Sequence, residues 1–306
     1  MLSSFRRLAL TLSLAALCFS GPLCARPSDS QVRVLQGPWT TNGEGFFYLQ
    51  GDRVFLFENH KLVVLGLVRF QDGTLILRNE GKLETWQASL QDHRLKLGMH
   101  GHARVYRKLD RVPPQIFLEP FKLGKPQHLS AERVKTIQDE MEKRWKRDQE
   151  VRTDPAQRAQ AATVDEENRR YFLSLLREVG WLDVARFGTR TSVYAAAFVK
   201  HFGDLSLNLA ALPCIERDLK DTGEGQMFAI VYDDTQLHLG RKQRYGTQID
   251  EDAQGHPYVL PLEQPDKVDE RLKAIGQPPL ASYLADASKA LYEGKPIRLA
   301  TPEESQ

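Results

Sequence analysis

Hydrophobic and polar residues alternate along the first part of the chain, at a spacing of two that is typical of half-buried strands. Val54-x-Leu56 and Leu75-x-Leu77 are two such runs. Turn residues separate the runs about every 8–12 residues, as in consecutive hairpins. The pattern predicts an antiparallel β meander of six to eight short strands over residues 34–109, closed or half-closed into a small barrel.

The spacing of apolar residues changes to about 3.6, the period of an α-helix, after a proline-rich stretch. Residues 110–128 contain four prolines, and we predict an extended linker there because proline lacks an amide donor and fixes φ. Residues 129–295 are predicted to form a mainly α-helical domain, and residues 296–306 a polar tail. The predicted fold class is therefore multidomain α+β, a small antiparallel β barrel followed by a helical domain.

Several helix boundaries follow from capping residues. Ser130 precedes an apolar stripe and can cap a helix that runs to about Val151. Thr163-x-x-Glu166 has the spacing of a capping box, which predicts the start of a second helix. Residues 227–239 fit either a helix or a hairpin, and we favour the helix.

The first 25 residues have the features of a secretory signal peptide. Arg6 and Arg7 precede a short apolar run, and Ala25 provides a small residue for cleavage. The apolar run is too short to anchor the chain in a bilayer. We therefore expect a periplasmic or secreted protein, with no transmembrane segment after residues 1–25 are removed.

The charge and the cysteines exclude several classes of protein. The formal net charge is +2, and removal of residues 1–25 takes away two arginines and no acid. A neutral mature chain does not favour nucleic-acid binding, which needs a basic surface. Of the three cysteines only Cys214 follows the signal peptide, so no internal disulfide is predicted.

The chain also has no Cys-x-x-Cys pair, phosphate-binding loop or His-Glu-x-x-His helix, so we predict no metal and no cofactor.

Polar residues occupy positions on the helices where apolar residues are expected. Asp148 and Arg152 continue the apolar stripe of the first helix, and their spacing of four allows them to pair. Asn168 interrupts the stripe of the second helix, and His201 shares a face with aromatic residues of the third. Each has a structural alternative. Asp148 and Arg152 could form an ion pair at a helix end, Asn168 could bridge two helices, and His201 could be a histidine at a helix terminus.

Gln243-Arg244-Tyr245-Gly246-Thr247-Gln248 is the densest polar motif in the chain. Its two amides, phenol and hydroxyl suit a polar uncharged ligand, or a loop that ties helices together. We expect one polar pocket lined by Asp148, Arg152, Asn168, His201, Tyr245 and Gln248, with Gln243 and Thr247 as further ligand-binding candidates.

The helical region resembles a bacterial family of unknown function that has the signature Gln-x-Tyr-Gly-Thr-Gln. The matching residues are Asp148, Arg152, Asn168, Gly180-Trp181, Lys200-His201, Asp204, Gln243 to Gln248, Val268 to Arg271 and Gly276. The sequence departs from the family at Asp233-Asp234, where relatives tend to have Asp-Arg. The resemblance implies a mainly helical domain and no particular reaction. Gly37-Pro38-Trp39 is similar to the opening of lipocalin-like barrels.

Three functions are consistent with these residues. The first is a periplasmic binding module for a small polar or peptide-like ligand, in which Arg152 meets an anionic group. The second is a hydrolase with His201 as general base and Asp148 as its orienter or as an acid. The third is a structural protein whose β domain docks an envelope partner. The first two require the polar residues to meet around a cavity.

Overall fold

The computed structural model of the protein describes residues 30–58, 61–80, 82–99, 101–113, 119–220, 222–252 and 254–301. The predicted signal peptide, residues 1–25, lies outside the described residues. The chain forms an N-terminal antiparallel β barrel followed by a helical region, which confirms the predicted α+β layout.

The barrel closes because its first and last strands pair, with Trp39 opposite Lys108. A short helix, α1 (Ser30–Leu35), precedes it. The strands are β1 (Gly37–Thr40), β2 (Phe46–Gln50), β3 (Arg53–Glu58), β4 (Lys61–Gln71), β5 (Thr74–Asn79), β6 (Lys82–Gln91), β7 (Arg94–Met99) and β8 (His102–Lys108). Inward-facing residues such as Phe47, Leu77 and Tyr106 fill the interior. The alternating pattern of the sequence is therefore the inside and outside of a closed sheet.

The helical region contains α2 (Ala131–Thr153), α3 (Ala161–Val179), α4 (Val184–Phe202), α5 (Leu205–Leu219), α6 (Gly225–His238), α7 (Val268–Ala274) and α8 (Leu280–Leu291). Residues 227–238 are helical as we favoured, within α6. In the described part of the chain, no helix has both the length and the apolar composition needed to cross a bilayer.

The predicted boundaries of the first helices are right in one case and wrong in another. Ser130 caps α2 by accepting a hydrogen bond from the amide of Arg133 at 3.2 Å. The capping box at Thr163 is wrong, because α3 begins at Ala161. A 3-10 turn, Arg158–Gln160, runs directly into α3, and the carbonyl of Arg158 accepts a hydrogen bond from the amide of Ala161 in place of a side-chain cap.

A small sheet accompanies the helices and was not predicted. It consists of β9 (Ile249–Glu251), β10 (Pro257–Val259) and β11 (Arg298–Leu299), with β10 in the centre. The last strand lies in the predicted polar tail and pairs in parallel with β10. Part of that tail is therefore tied to the domain.

The segment between the barrel and α2 lies against the helices. From residue 119 to 129 it forms no regular structure. The amide of Phe121 donates to the carbonyl of Ser206, and the amide of Gly124 donates to that of Leu176, each at 2.9 Å. The second half of the predicted linker is thus held on α3 and α5.

The barrel contacts the helical region through β4, which packs on α6, and through the end of β5 and the start of β6. Glu80 Oε1 lies 3.3 Å from His238 Nε2 at the end of α6, and Lys82 forms an ion pair with Asp250 at 3.0 Å. His238 Nδ1 in turn lies 2.9 Å from the carbonyl oxygen of Asp234. Charged and titratable groups therefore contribute to this junction.

Candidate functional site

Helix α4 divides the predicted site residues into two groups. One face of α4 packs on α2 and another on α6. His201 points to α2, where Asp148 lies, whereas the preceding Lys200 forms an ion pair with Asp234 on α6. Successive residues of a helix point in directions roughly 100° apart, so His201 and Lys200 contact different helices. The hydrogen bonds and ion pairs of the described residues join Asp148, Arg152 and His201, and none of them connects these residues to Tyr245 or Gln248.

The first group surrounds the buried carboxylate of Asp148. Its Oδ1 lies 3.0 Å from His201 Nδ1. The Nε of Arg152 donates to both oxygens of Asp148 at 3.1 Å, and the same guanidinium bonds Asp165 on α3. Gln149 supplies a further donor at 2.8 Å. Three helices therefore meet at one buried negative charge.

The charges in this group set the protonation of its members. Burial opposes ionisation of Asp148, but His201 and Arg152 outweigh it and lower the pKa of Asp148 to about 2. Burial raises the pKa of Asp165, and the nearby charge of Asp148 contributes, although Arg152 opposes it. Because ionised Asp148 can only accept, the Nδ1 of His201 carries the hydrogen that joins them.

Two buried nitrogens of the predicted site residues lack hydrogen-bond partners among the described residues, His201 Nε2 and Asn168 Nδ2. The side chain of His201 is only 1% exposed, and its ring stacks on Trp145 with centroids 5.9 Å apart. The Oδ1 of Asn168 accepts from Arg144 at 3.2 Å. A buried polar atom without a partner costs roughly 1–3 kcal/mol, and such atoms are frequent at functional sites.

The same residues offer ligand atoms for a metal, but their pairing does not favour one. Potential ligand atoms of Asp148, Asp165 and His201 lie within 4.8 Å of one another. The guanidinium of Arg152 already bonds both carboxylates, so a metal ion would have to displace it. The donor set is that of an ion-pair network around an aspartate–histidine pair.

The second group is organised by Asp233, a fully buried residue of α6. Its carboxylate accepts hydrogen bonds from the backbone amides of Arg244, Tyr245 and Thr247, at 2.7, 3.0 and 3.0 Å. The hydroxyl of Thr247 adds a fourth at 2.9 Å. Burial raises the pKa of Asp233 to about 6 although these donors oppose the rise, which leaves the group ionised at neutral pH. The negative charge of Asp233 thus holds the loop from Arg244 to Thr247 in its conformation.

The two glutamines of the motif are engaged within the loop. Gln243 Nε2 donates to the carbonyls of Gln248 and Leu260, at 3.0 and 2.7 Å, and its Oε1 accepts from the amide of Gln248 at 2.9 Å. Gln248 Nε2 donates to the carbonyl of Ile230 at 3.2 Å and to the hydroxyl of Thr247 at 2.9 Å. These amides hold the loop on α6.

Gly246 is required at the tip of this loop. Its φ is +78°, and a Cβ atom added there would lie 2.8 Å from a methyl group of Leu280. Only glycine allows both the left-handed backbone and this close approach to α8. The loop therefore forms one wall of a cleft against α8.

The cleft encloses a small volume of about 40 Å³ and opens to solvent at its mouth. It is lined by Gln226, Ala229, Tyr245, Thr247, Leu272, Gln277, Pro278, Tyr283 and Asp286. Tyr283 donates to the carbonyl of Thr247 at 2.9 Å. Among the described residues we find no hydrogen-bond partner for the hydroxyl of Tyr245 or for the side chains of Gln226, Gln277 and Asp286. These groups are available to a ligand.

Sequence analysis therefore singled out Asp148, His201, Tyr245 and Thr247, but it missed residues that complete each group. Asp165 lies one helical turn before Asn168 on α3. Because the two residues share a face of that helix, the position of Asn168 could have indicated Asp165 as well. Asp233 is surrounded by apolar residues of a buried helix, but the sequence indicated it only as a departure from the family pattern. The other polar residues of the cleft could not be recognised from the sequence, because polar residues are common at partly exposed positions.

No curated protein and no solved structure matches this chain. Residues 136–293, about half of the chain, match a family of unknown function. The matched range contains both groups of polar residues and the cleft, and it excludes the barrel. The chain belongs to this family of unknown function, DUF6624.

Proposed function

We propose that the protein is an exported binding module for a small polar or peptide-like ligand, and that the ligand occupies the cleft beside the Tyr245 loop. The observation that carries this proposal is the set of polar groups without partners on apolar walls. Ligand sites are typically concave, largely apolar, and fitted with a few polar groups that fix the orientation of the ligand.

In this proposal, the residues of the motif have different roles. Tyr245 and Thr247 line the cleft and contact the ligand. Gln243 and Gln248 act indirectly, since their amides fix the loop that presents Tyr245. Arg152 and Asn168 belong to the other group, so the anionic partner first expected for Arg152 is supplied by Asp148 and Asp165 instead of a ligand.

A binding screen tests the proposal. The mature protein is examined by thermal shift against cell-wall fragments, peptides and nucleotides, and any stabilising compound is measured by calorimetry. Tyr245→Phe, which removes only a hydroxyl, should weaken binding by about two- to ten-fold, as expected for one hydrogen bond. Tyr48→Phe in the barrel is the matched control and should leave binding unchanged. Equal affinities of both variants would refute the assigned site.

The pair formed by Asp148 and His201 favours a second candidate, a hydrolase. The 3.0 Å contact orients the ring so that the lone pair of a neutral His201 is on Nε2, where it can accept a proton from water. Asp148 then stabilises the charged ring, as the carboxylate does in other catalytic pairs. A substrate would reach Nε2 only if the packing around this buried ring opens.

Hydrolysis of peptide and ester substrates distinguishes the two candidates. A hydrolase at this site would lose nearly all activity in His201→Gln and retain it in His128→Gln, which changes an exposed histidine. Activity that survives in His201→Gln would rule out this centre. Export is tested separately, by sequencing the N-terminus of the protein recovered from the periplasm or medium, where cleavage after Ala25 is expected.

A further inference from the structure

We infer that the ligand of the cleft presents a protonated amino group to Asp286; this inference rests on the proposed binding function. Among the described residues that line the cleft, Asp286 is the acidic one and none is lysine, arginine or histidine. Because no cationic side chain among these lining residues competes for the carboxylate, the cleft favours a cationic ligand. Anionic ligands are correspondingly disfavoured.

Asp286 lines the cleft from α8. Asp286 follows Tyr283 by three residues on α8, so both lie on the same face of that helix. Tyr283 is held in place by its hydrogen bond to the carbonyl of Thr247. The carboxylate is exposed at the rim, above the aromatic wall that Tyr283 and Tyr245 provide.

The remaining groups match the hydrogen bonds of an ammonium. An ammonium has three donors and no acceptor. The carboxylate can accept one, and the amide oxygens of Gln226 and Gln277 can accept the others. The rings of Tyr245 and Tyr283 can add cation–π attraction, which is worth more where water is excluded. Burial raises the pKa of Tyr245 to about 12, so its phenol stays neutral beside the ligand.

A second groove on the helical region provides a contrast. It is lined by residues that include Asp183, Arg186, Arg217 and Asp218. Its charges are already paired, Arg186 with Asp183 and Arg217 with Asp218, each at 2.6 Å. That groove has no comparable free charge, so we expect the amine to bind at the cleft with Asp286.

Matched pairs of compounds test the inference. The probes are the dipeptide Ala-Ala and its N-acetyl form, and glucosamine and N-acetylglucosamine, each measured by calorimetry with the mature full-length chain at neutral pH. Acetylation removes the positive charge and keeps the rest of each compound. We expect the free amine of at least one pair to bind about ten-fold more tightly than its acetylated form, and this difference to shrink at high salt.

Asp286→Asn should abolish the preference for the amine and leave binding of the acetylated form unchanged. Asp266→Asn, which changes another exposed aspartate outside the cleft, is the control and should behave as the wild type. Equal or tighter binding of the acetylated forms would overturn the inference and leave the binding function intact. Failure of all four compounds to bind would overturn the inference, while the wider screen would still decide the binding function. An unchanged melting temperature of Asp286→Asn checks that the variant is folded.

Discussion

Replacing Glu80 with glutamine is expected to stabilise the protein, and to do so increasingly as the pH rises. The side chain of Glu80 is 12% exposed and lies between the barrel and the end of α6, 3.3 Å from His238. Burial, reinforced by the charge of Asp234, raises the pKa of Glu80 from 4.5 to about 9. Folding above pH 4.5 must therefore take up a proton that the unfolded chain has released.

The magnitude follows from this shift. Each pKa unit corresponds to about 1.4 kcal/mol, so proton uptake by Glu80 costs about 3 kcal/mol at pH 7 and about 1 kcal/mol at pH 5. The contribution of Glu80 to stability is complete below pH 4.5 and is lost as the pH rises towards 9. Glutamine has the shape of the protonated acid and takes up no proton. The gain of about 3 kcal/mol at pH 7 corresponds to roughly 6–12 °C in Tm.

Thermal and urea unfolding of the mature chain at about pH 5, 7 and 8.5 measures this effect for the wild type and for Glu80→Gln. Glu44→Gln, at an exposed position between β1 and β2, is the matched control and should show no pH-dependent gain. A difference between Glu80→Gln and the wild type that does not grow with pH would refute the reasoning. Destabilisation at every pH would mean that Glu80 is ionised and paired with His238.

Three further changes test the two groups of polar residues. Asp148→Asn should lower the free energy of unfolding in urea by about 3 kcal/mol, because it breaks a buried pair, whereas Asp139→Asn in an exposed pair should change it by at most about 0.5 kcal/mol. Gly246→Ala should lower Tm more than Gly43→Ala, since both have positive φ but only the former meets a neighbouring side chain. Asp233→Asn should speed hydrogen exchange of the loop amides of Arg244, Tyr245 and Thr247, which donate hydrogen bonds to the Asp233 carboxylate. Unchanged exchange would contradict the role of Asp233 in holding the loop.

Much of the fold could be predicted from local patterns. Alternation and turns such as Asp72-Gly73, where φ is +49° and +73°, predict a barrel because each hairpin is specified by adjacent residues. The predicted start of α3 was wrong because a 3-10 turn leads into the helix and takes the place of a capping side chain. The strand at Arg298 was missed because a strand of two residues is too short to show a periodic pattern. It pairs with β10 only after the chain has folded.

The candidate site residues were predictable where a polar residue breaks an apolar stripe or where polar residues form a dense motif, as at Tyr245 and Thr247. Asp148 and Asn168 gave the first signal, and the structure shows that both are buried. The arrangement in space could not be derived, because the sequence does not specify which helices pack on the two faces of α4. Gln277 and Asp286 come from separate segments that meet only after folding, and as partly exposed polar residues they resemble any solvated side chain.

The contacts of residues 119–129 bear on how the helical domain can be isolated. The family match begins at residue 136, yet Ser130 caps α2 and the amides of Phe121 and Gly124 bond carbonyls on neighbouring helices. At the other end, β11 lies beyond residue 293. An autonomous fragment should therefore span about residues 119–301. A fragment cut at the family limits would expose the edge of β10 and fray the start of α2, and would be prone to aggregate.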